Sequence, residues 1–334
     1  MFILSRAVHA AAHLGVADQL LAGPKTIREL ACETGTHEPT LARLLRTLVT
    51  FGVFVEQPDG CFALNELAQE LRSGTPASQR DFILCMGSRW QARAWEDLSE
   101  TIRTGEPYFE RATGVTMFDY LAEHPQDAVL FEKAMSRQTG QSAAALAAAC
   151  DLDGVRHIVD VGGGNGTLLA ALLVANPHAQ GVLVERPACA AGARPALADA
   201  GVGDRCVVQE ADICHDPLPI AAVYVLKNVL HDWNDERAVQ ILQNCRRAAQ
   251  GRARLLVIEV LARSPAPRPD EALMDLAMLV LTGGRERTRE HYGQLLESAD
   301  WTLERVIATG TAFSVLEATP AECTRIAACK SLSG

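Results

Sequence analysis

The stretch "VLKNVLHDW", Val225 to Trp233, places a lysine, an asparagine, a histidine and an aspartate directly after an apolar segment, "AAVYVL". His231 is the side chain there best suited to move a proton. An ordinary imidazole, with a pKa of about 6.5, populates both protonation states near neutral pH. It serves as a base when a carboxylate accepts the hydrogen of its second ring nitrogen and stabilises the cation that forms. One carboxylate is placed to do this, Glu259, at the end of the strand "LLVIEV" and hence at the same sheet edge; a second acid, Glu286, lies in the loop "GGRERT". Taken singly, His231 reads as a satisfied histidine beside a helix cap formed by Asp232 or Asn234, and Glu286 as a solvated partner of Arg285 or Arg287. Polar groups at a strand-to-helix junction of an open α/β sheet stand where ligands collect, so the surrounding elements decide between cap and reaction centre.

From Val155 onward, short apolar segments alternate with helix-length stretches: "HIVDVG", "GVLVE", "CVVQEAD", "AAVYVL" and "RLLVIEV". Buried parallel strands have this form. The final pair, "TLERVIAT" and "FSVLEAT", lies too close together for a helical crossover and predicts an antiparallel hairpin at the sheet's edge. Residues 1 to about 150 read as mainly α-helical. "SRAVHAAAHLGVADQLL" has helical spacing of apolar residues and starts abruptly at Met1, as part of a longer helix would. Next come a helix, a turn, a helix and two short strands joined at Pro58-Asp59-Gly60, a winged-helix pattern. Helical periodicity then continues through "FILCMGSRWQARAWEDLSETIRTG" and "QDAVLFEKAMSRQTGQSAAALAAAC". The expected division is 1–150, 151–320 and a tail at 321–334.

A length of 334 residues with 48% hydrophobic content supports a sizeable core. The net charge of −10 disfavours nonspecific attraction to a phosphate backbone. Within the winged-helix segment, Pro24 to Arg72, five basic residues face seven acidic ones, so a packing or dimerisation module is expected rather than a nucleic-acid reader. The ten cysteines are scattered, with no Cys-x-x-Cys pair or zinc spacing, and no metal is expected. No apolar run reaches the roughly 18 residues of a membrane span, and the N-terminus lacks a secretion signal. A cytoplasmic protein without a membrane partner is the expectation.

"HIVDVGGGNGTLLAALL" is a strand, a glycine turn and a helix, an arrangement that lets backbone and a helix N-terminus approach a nucleotide. Four glycines within five residues, Gly162, Gly163, Gly164 and Gly166, call for a close-approach reason. The dinucleotide fingerprint asks for glycine or alanine where this chain has Thr167, which argues against NAD. Glu185, after the second strand, can accept hydrogen bonds from ribose hydroxyls, and Asp212, after the third, can meet an adenine amino group. Either acid alone would read as a helix cap. No Walker lysine accompanies them, which favours an adenosine ligand without phosphates.

Taken together, "VDVGGGNG", Glu185, "EAD", "LKNVLHDW", "VIEV" and "GGRERT" resemble, in order and spacing, the S-adenosylmethionine-dependent small-molecule O-methyltransferases of the plant caffeate/isoflavone and actinobacterial polyketide-tailoring type. The resemblance covers nearly the whole chain. It implies a Rossmann-like class I methyltransferase domain, a parallel sheet with a C-terminal antiparallel hairpin, preceded by a mainly α-helical winged-helix dimerisation domain. It also implies a homodimer that methylates a phenolic or enolic hydroxyl of an aromatic secondary metabolite and releases S-adenosylhomocysteine. It places the catalytic histidine on His231, with Glu259 and Glu286 as the acids beside it. Asp160, Gly162, Gly164, Glu185, Asp212, Ile213 and Lys227 fall on cofactor-binding positions, and Glu185 replaces the family's more usual aspartate. Phe131, Met135, Asp275, Met278 and Leu279 fall on acceptor-binding positions, although a phenylalanine and a methionine one helical turn apart also pack well as core. Two other functions compete with this one: an S-adenosylmethionine-binding relative that performs hydroxylation, decarboxylation or a pericyclic step, and a winged-helix regulator. Retention of His231, Glu259 and Glu286 argues against the first, and the acidic winged-helix segment against the second.

Overall fold

The computed structural model describes residues 2–75 and 77–322, so residues 323–334 of the expected tail lie outside the described residues. The chain divides into two compact units, Met1–Ala143 with Leu279–Thr282, and Ala144–Met278 with Gly283–Gly334. The division falls inside the long helix Pro125–Ala149.

In the first unit the helix Ile27–Thr34 opens on a capping box. Thr26 accepts the Glu29 amide while the Glu29 carboxylate accepts the Thr26 amide, which satisfies two helix-end donors. The helix Glu38–Thr50 places Leu41, Leu45 and Leu48 at helical spacing, and all three are buried with Leu30, Phe54 and Phe62. Strands β1 (Val55–Glu56) and β2 (Phe62–Ala63) form the antiparallel wing. Farther on, the stretch of helical periodicity forms three short helices, Arg80–Met86, Arg89–Ala94 and Leu98–Thr104. The first break is at Gly87-Ser88, where a Cβ on Gly87 would meet the His9 ring at 2.0 Å. Trp90, Phe109, Tyr120 and Phe131 form an aromatic cluster with ring centroids 5.5–6.1 Å apart.

The second unit is built on β3 (His157–Val161), β4 (Gln180–Glu185), β5 (Cys206–Glu210), β6 (Val223–Lys227), β7 (Arg254–Val260), β8 (Trp301–Ala308) and β9 (Phe313–Pro320). Their order is β5-β4-β3-β6-β7-β9-β8, with β9 antiparallel to both β7 and β8 and the remaining pairs parallel. Alternate residues of each central strand enter different cores. Val223 and Val225 join one with the leucines of the helix Thr167–Ala175, and Tyr224 and Leu226 join the other with Ile241 and Leu242. Because both faces are covered, these strands are near-continuous apolar runs. The order reverses between β3 and β6, which makes the ends of these strands the topological switch point where a doubly wound sheet binds its ligand.

Candidate active site

The turn after β3 is backbone built for close approach. Gly162, Gly164 and Gly166 have φ values of 70, 60 and 79°, a region that side-chain-bearing residues rarely adopt. A Cβ on Gly163 would meet the Asp160 carboxylate at 2.3 Å. Asp160 is fully buried beneath this turn. Neither of its oxygens reaches a well-formed partner among the described residues, the Leu169 amide exerting only a weak pull. Burial, then the nearby Glu185 carboxylate, raise its pKa to about 7 against the opposing pull of Lys227. Glu185, ending β4, folds its carboxylate into the glycine turn: Oε2 accepts the Gly164 amide at 2.9 Å and Oε1 the Arg186 amide at 2.8 Å. Lys227 ends β6 with Nζ 4.6 Å from the centre of the Phe313 ring, and burial lowers its pKa to about 8 despite Glu259 and Asp160.

Asp212 follows β5, and its carboxylate serves its own turn: Oδ1 accepts the Cys214 amide at 2.8 Å and Oδ2 lies 3.0 Å from His215 Nδ1. Ile213 is half-buried, its Cδ1 3.5 Å from where a Cβ on Gly162 would stand.

Beyond Lys227 the chain turns at Asn228, which takes φ 52°, and forms a 3-10 turn, Leu230–Asp232, before the helix Asp235–Ala248. That helix is capped by Asn234, whose side chain accepts the Arg237 amide, so neither His231 nor Asp232 is used as its cap. Glu259 Oε1 accepts the Val229 and Leu230 amides at 3.2 and 3.0 Å, holding the start of the turn from β7. His231 Nδ1 lies 3.0 Å from Glu286 Oε1 and 3.7 Å from Glu259 Oε2, while Nε2 lies 3.7 Å from Asp232 Oδ1. Burial opposes the imidazolium, but the carboxylates of Glu259, Asp232 and Glu286 outweigh it and raise the histidine to about 10. Burial raises Glu259 to about 7 and Asp232 to about 6, both held down in part by His231. The loop carrying Glu286 is fixed in turn, since its amide donates to Asp275 Oδ1 at 2.8 Å.

His231, Glu259, Glu286 and Asp275 are therefore brought together within one unit, close to Lys227, Asp160 and the glycine turn. Met278, nearly buried, belongs to the same unit. Phe131, Met135 and Leu279 belong to the first unit, where Phe131 packs edge-on against Trp90. Two features escaped the sequence reading. Arg287 is buried, and Gly284 lies so close to the His231 backbone that a Cβ there would meet its carbonyl oxygen at 2.0 Å. The doubled glycine of "GGRERT" was a usable signal for tight packing, but nothing in the sequence separates the buried Arg287 from the half-exposed Arg285.

The doubly wound sheet with its reversed final hairpin, the glycine turn at the switch point and the acid ending the next strand define an S-adenosylmethionine-dependent methyltransferase. Residues 95–302 match the O-methyltransferase domain and residues 1–73 the O-methyltransferase dimerisation domain, so the chain belongs to the O-methyltransferase family. It is 40% identical to a phenazine O-methyltransferase from Lysobacter antibioticus over 95% of this chain and 93% of the relative. The structure of mitomycin 7-O-methyltransferase superposes with a TM-score of 0.90 at 39% identity, covering 95% of this chain and 94% of that one. An O-methyltransferase from neocarzinostatin biosynthesis, solved in complex with S-adenosylmethionine and 2-hydroxy-5-methyl naphthoic acid, matches with a TM-score of 0.83 at 34% identity over 95% of this chain and 96% of that one. The protein is an O-methyltransferase that uses S-adenosylmethionine, and its residues fit that molecule: at Gly164 the space a side chain would fill is empty, and the orphaned Asp160 oxygens lie directly under the glycine turn. Among the described residues, no helix is long and apolar enough to cross a membrane.

Proposed function

We propose that the protein methylates a hydroxyl oxygen on a polycyclic aromatic metabolite, with His231 as general base and Glu259 and Glu286 orienting its ring. The observation that carries this reading is the buried contact of 3.0 Å between His231 Nδ1 and Glu286, which leaves Nε2 as the nitrogen for an acceptor. When bound, S-adenosylmethionine supplies the methyl group as an electrophile on a sulfonium. The chain's own part is proton removal, orientation and exclusion of water. A phenol has a pKa of about 10, so the neutral form of an imidazole raised into the same range can take its proton with little free-energy change; below that pKa most of the rings are already imidazolium, and kcat/KM should climb as pH rises. The flanking carboxylates stabilise the resulting imidazolium, and the burial of the cluster suits a transfer in which charge is neutralised.

Asp160, Gly162, Gly164, Glu185, Asp212, Ile213 and Lys227 are proposed to hold the cofactor, with Glu185 accepting ribose hydroxyls. Phe131, Met135, Asp275, Met278 and Leu279 are proposed to bind the acceptor. Residues 1–150 are read as the dimerisation and lid region of a homodimer and 151–320 as the catalytic region. The aromatic acceptor class is inferred from relatives named for a phenazine or solved with a hydroxynaphthoic acid.

Glu185→Ala should weaken S-adenosylhomocysteine binding about 10- to 100-fold in titration calorimetry, the range expected for losing hydrogen bonds to a charged acceptor. An affinity unchanged in this variant would remove Glu185 from the cofactor site. Glu286→Gln takes away a carboxylate that raises the histidine, so the imidazole pKa falls. The acidic limb of the kcat/KM profile should then move to lower pH, by about one unit or more, while the plateau rate drops because the imidazolium loses support. A limb that stays in place would mean that another group titrates there. The reaction itself is tested by supplying S-adenosylmethionine labelled with carbon-13 in its methyl group to hydroxyquinones, hydroxyphenazines and hydroxynaphthoates. An O-methyl ether signal in the product spectrum is expected. Acceptor turnover giving a hydroxylated, decarboxylated or rearranged product without label would overturn the reading.

A further inference from the structure

The loop 284–287 touches every part of the turn that carries His231. The Arg285 amide donates to the His231 carbonyl at 2.9 Å. The Arg287 side chain, fully buried, donates from Nη1 to the Leu230 carbonyl at 2.7 Å and from Nη2 to the Trp233 carbonyl at 2.6 Å. Asp235 holds the same guanidinium, with Oδ1 accepting from Nε at 3.0 Å and from Nη2 at 2.8 Å. His291 Nε2 meets the other Asp235 oxygen at 3.0 Å. The arginine's own backbone is tied to the end of the sheet, where the Ala262 amide donates to its carbonyl at 2.9 Å.

We propose that Arg287 is a positioning residue for methyl transfer: it fixes the carbonyls on both sides of His231, with Asp235 orienting its fork, so that the imidazole stays aligned with Glu286 and the acceptor. The proposal rests on the reading of His231 as the base. A buried arginine needs a reason, because removing a guanidinium from water is costly unless its donors are paired. Here the planar fork spans two carbonyls and a carboxylate at once, a geometry that an ammonium on a flexible stem cannot reproduce. A misplacement of the base by about 1 Å is enough to cost about 10²-fold in rate.

The test compares Arg287→Lys, which keeps the charge and loses the fork, with Asp235→Asn, which leaves the arginine in place and loosens its orientation. The proposal expects kcat to fall about 10- to 100-fold in Arg287→Lys and about 3- to 10-fold in Asp235→Asn, with KM for S-adenosylmethionine changed by less than about threefold in both. It also expects the downfield proton resonance of His231 Nδ1, assigned by its loss in His231→Ala, to shift or broaden in both variants. Should Arg287→Lys fail to fold, Asp235→Asn carries the test through the same two readouts. Unchanged kcat and an unchanged resonance would overturn the proposal. If instead His231→Ala kept full turnover, the base reading would fail by itself, while the resonance in the Arg287 and Asp235 variants would still report whether the turn is held.

Discussion

His231→Ala should lower turnover about 10²- to 10⁴-fold near neutral pH, the usual contribution of a positioned general base, while S-adenosylhomocysteine affinity stays within about threefold. The two readouts separate because His231 sits on the turn after β6, whereas the glycine turn, Asp160 and Glu185 lie at the ends of β3 and β4. The substitution has a second consequence. It removes a cation from a buried group of carboxylates, of which Glu259 is already raised to about 7 and Asp232 to about 6. A carboxyl whose folded pKa lies above its unfolded value binds protons more tightly in the folded state, so stability is lost as pH rises through the folded value. Without His231 these values rise further, and the variant's melting temperature should fall relative to the wild type as pH is raised from about 5 to about 8. His231→Gln, which retains more of the side-chain volume, should show the same catalytic loss. If both variants turned over at the wild-type rate, proton removal would have to be assigned elsewhere.

Gly284→Ala should be nearly as damaging, although the residue touches no substrate. Its added Cβ would stand 2.0 Å from the His231 carbonyl oxygen and 2.6 Å from the Asp232 carbonyl carbon, and both contacts are backbone that cannot rotate aside. Either the 284–287 loop or the His231 turn must move, which breaks the 2.9 Å bond from the Arg285 amide and disturbs the Glu286 contact. Overpacking of this kind costs about 1–3 kcal/mol of stability, and displacement of the base should lower kcat about 10²-fold. Denaturant midpoints and initial rates measured on the same preparation check both effects. Wild-type values for both would mean that the loop and the turn are less tightly fitted than these distances indicate.

Much of the catalytic unit is legible in the sequence because buried parallel strands are continuous apolar runs with few other interpretations. The short segment between "TLERVIAT" and "FSVLEAT" likewise leaves no room for a crossover, and β8 and β9 pair antiparallel. The first unit is harder to read, since apolar periodicity does not show where a helix stops. At Gly87 the His9 ring, almost eighty residues away, leaves no room for a side chain, and no local pattern encodes that contact. The same limit applies at the site. Arg285 and Arg287 are the same residue type two positions apart, yet the side chain of one is 51% exposed and that of the other 0%. Burial of an arginine is decided by the carbonyls of a turn more than fifty residues earlier in the chain. Asp212 shows a further limit: sequence marks an acid at a strand end, and only the structure shows its oxygens engaged within its own turn.

The claim that His231 takes the acceptor's proton is tested most directly by varying that proton's acidity. Methyl-transfer rates of the wild type and His231→Ala would be compared on a series of acceptors whose hydroxyl pKa runs from about 10 down to well below the assay pH. A base is needed only while the hydroxyl is protonated. The wild-type advantage should therefore be large for ordinary phenols and shrink to less than about tenfold for acceptors that arrive ionised. An advantage that stayed the same across the series would show that His231 contributes by shape or charge alone, and proton removal at this site would be excluded.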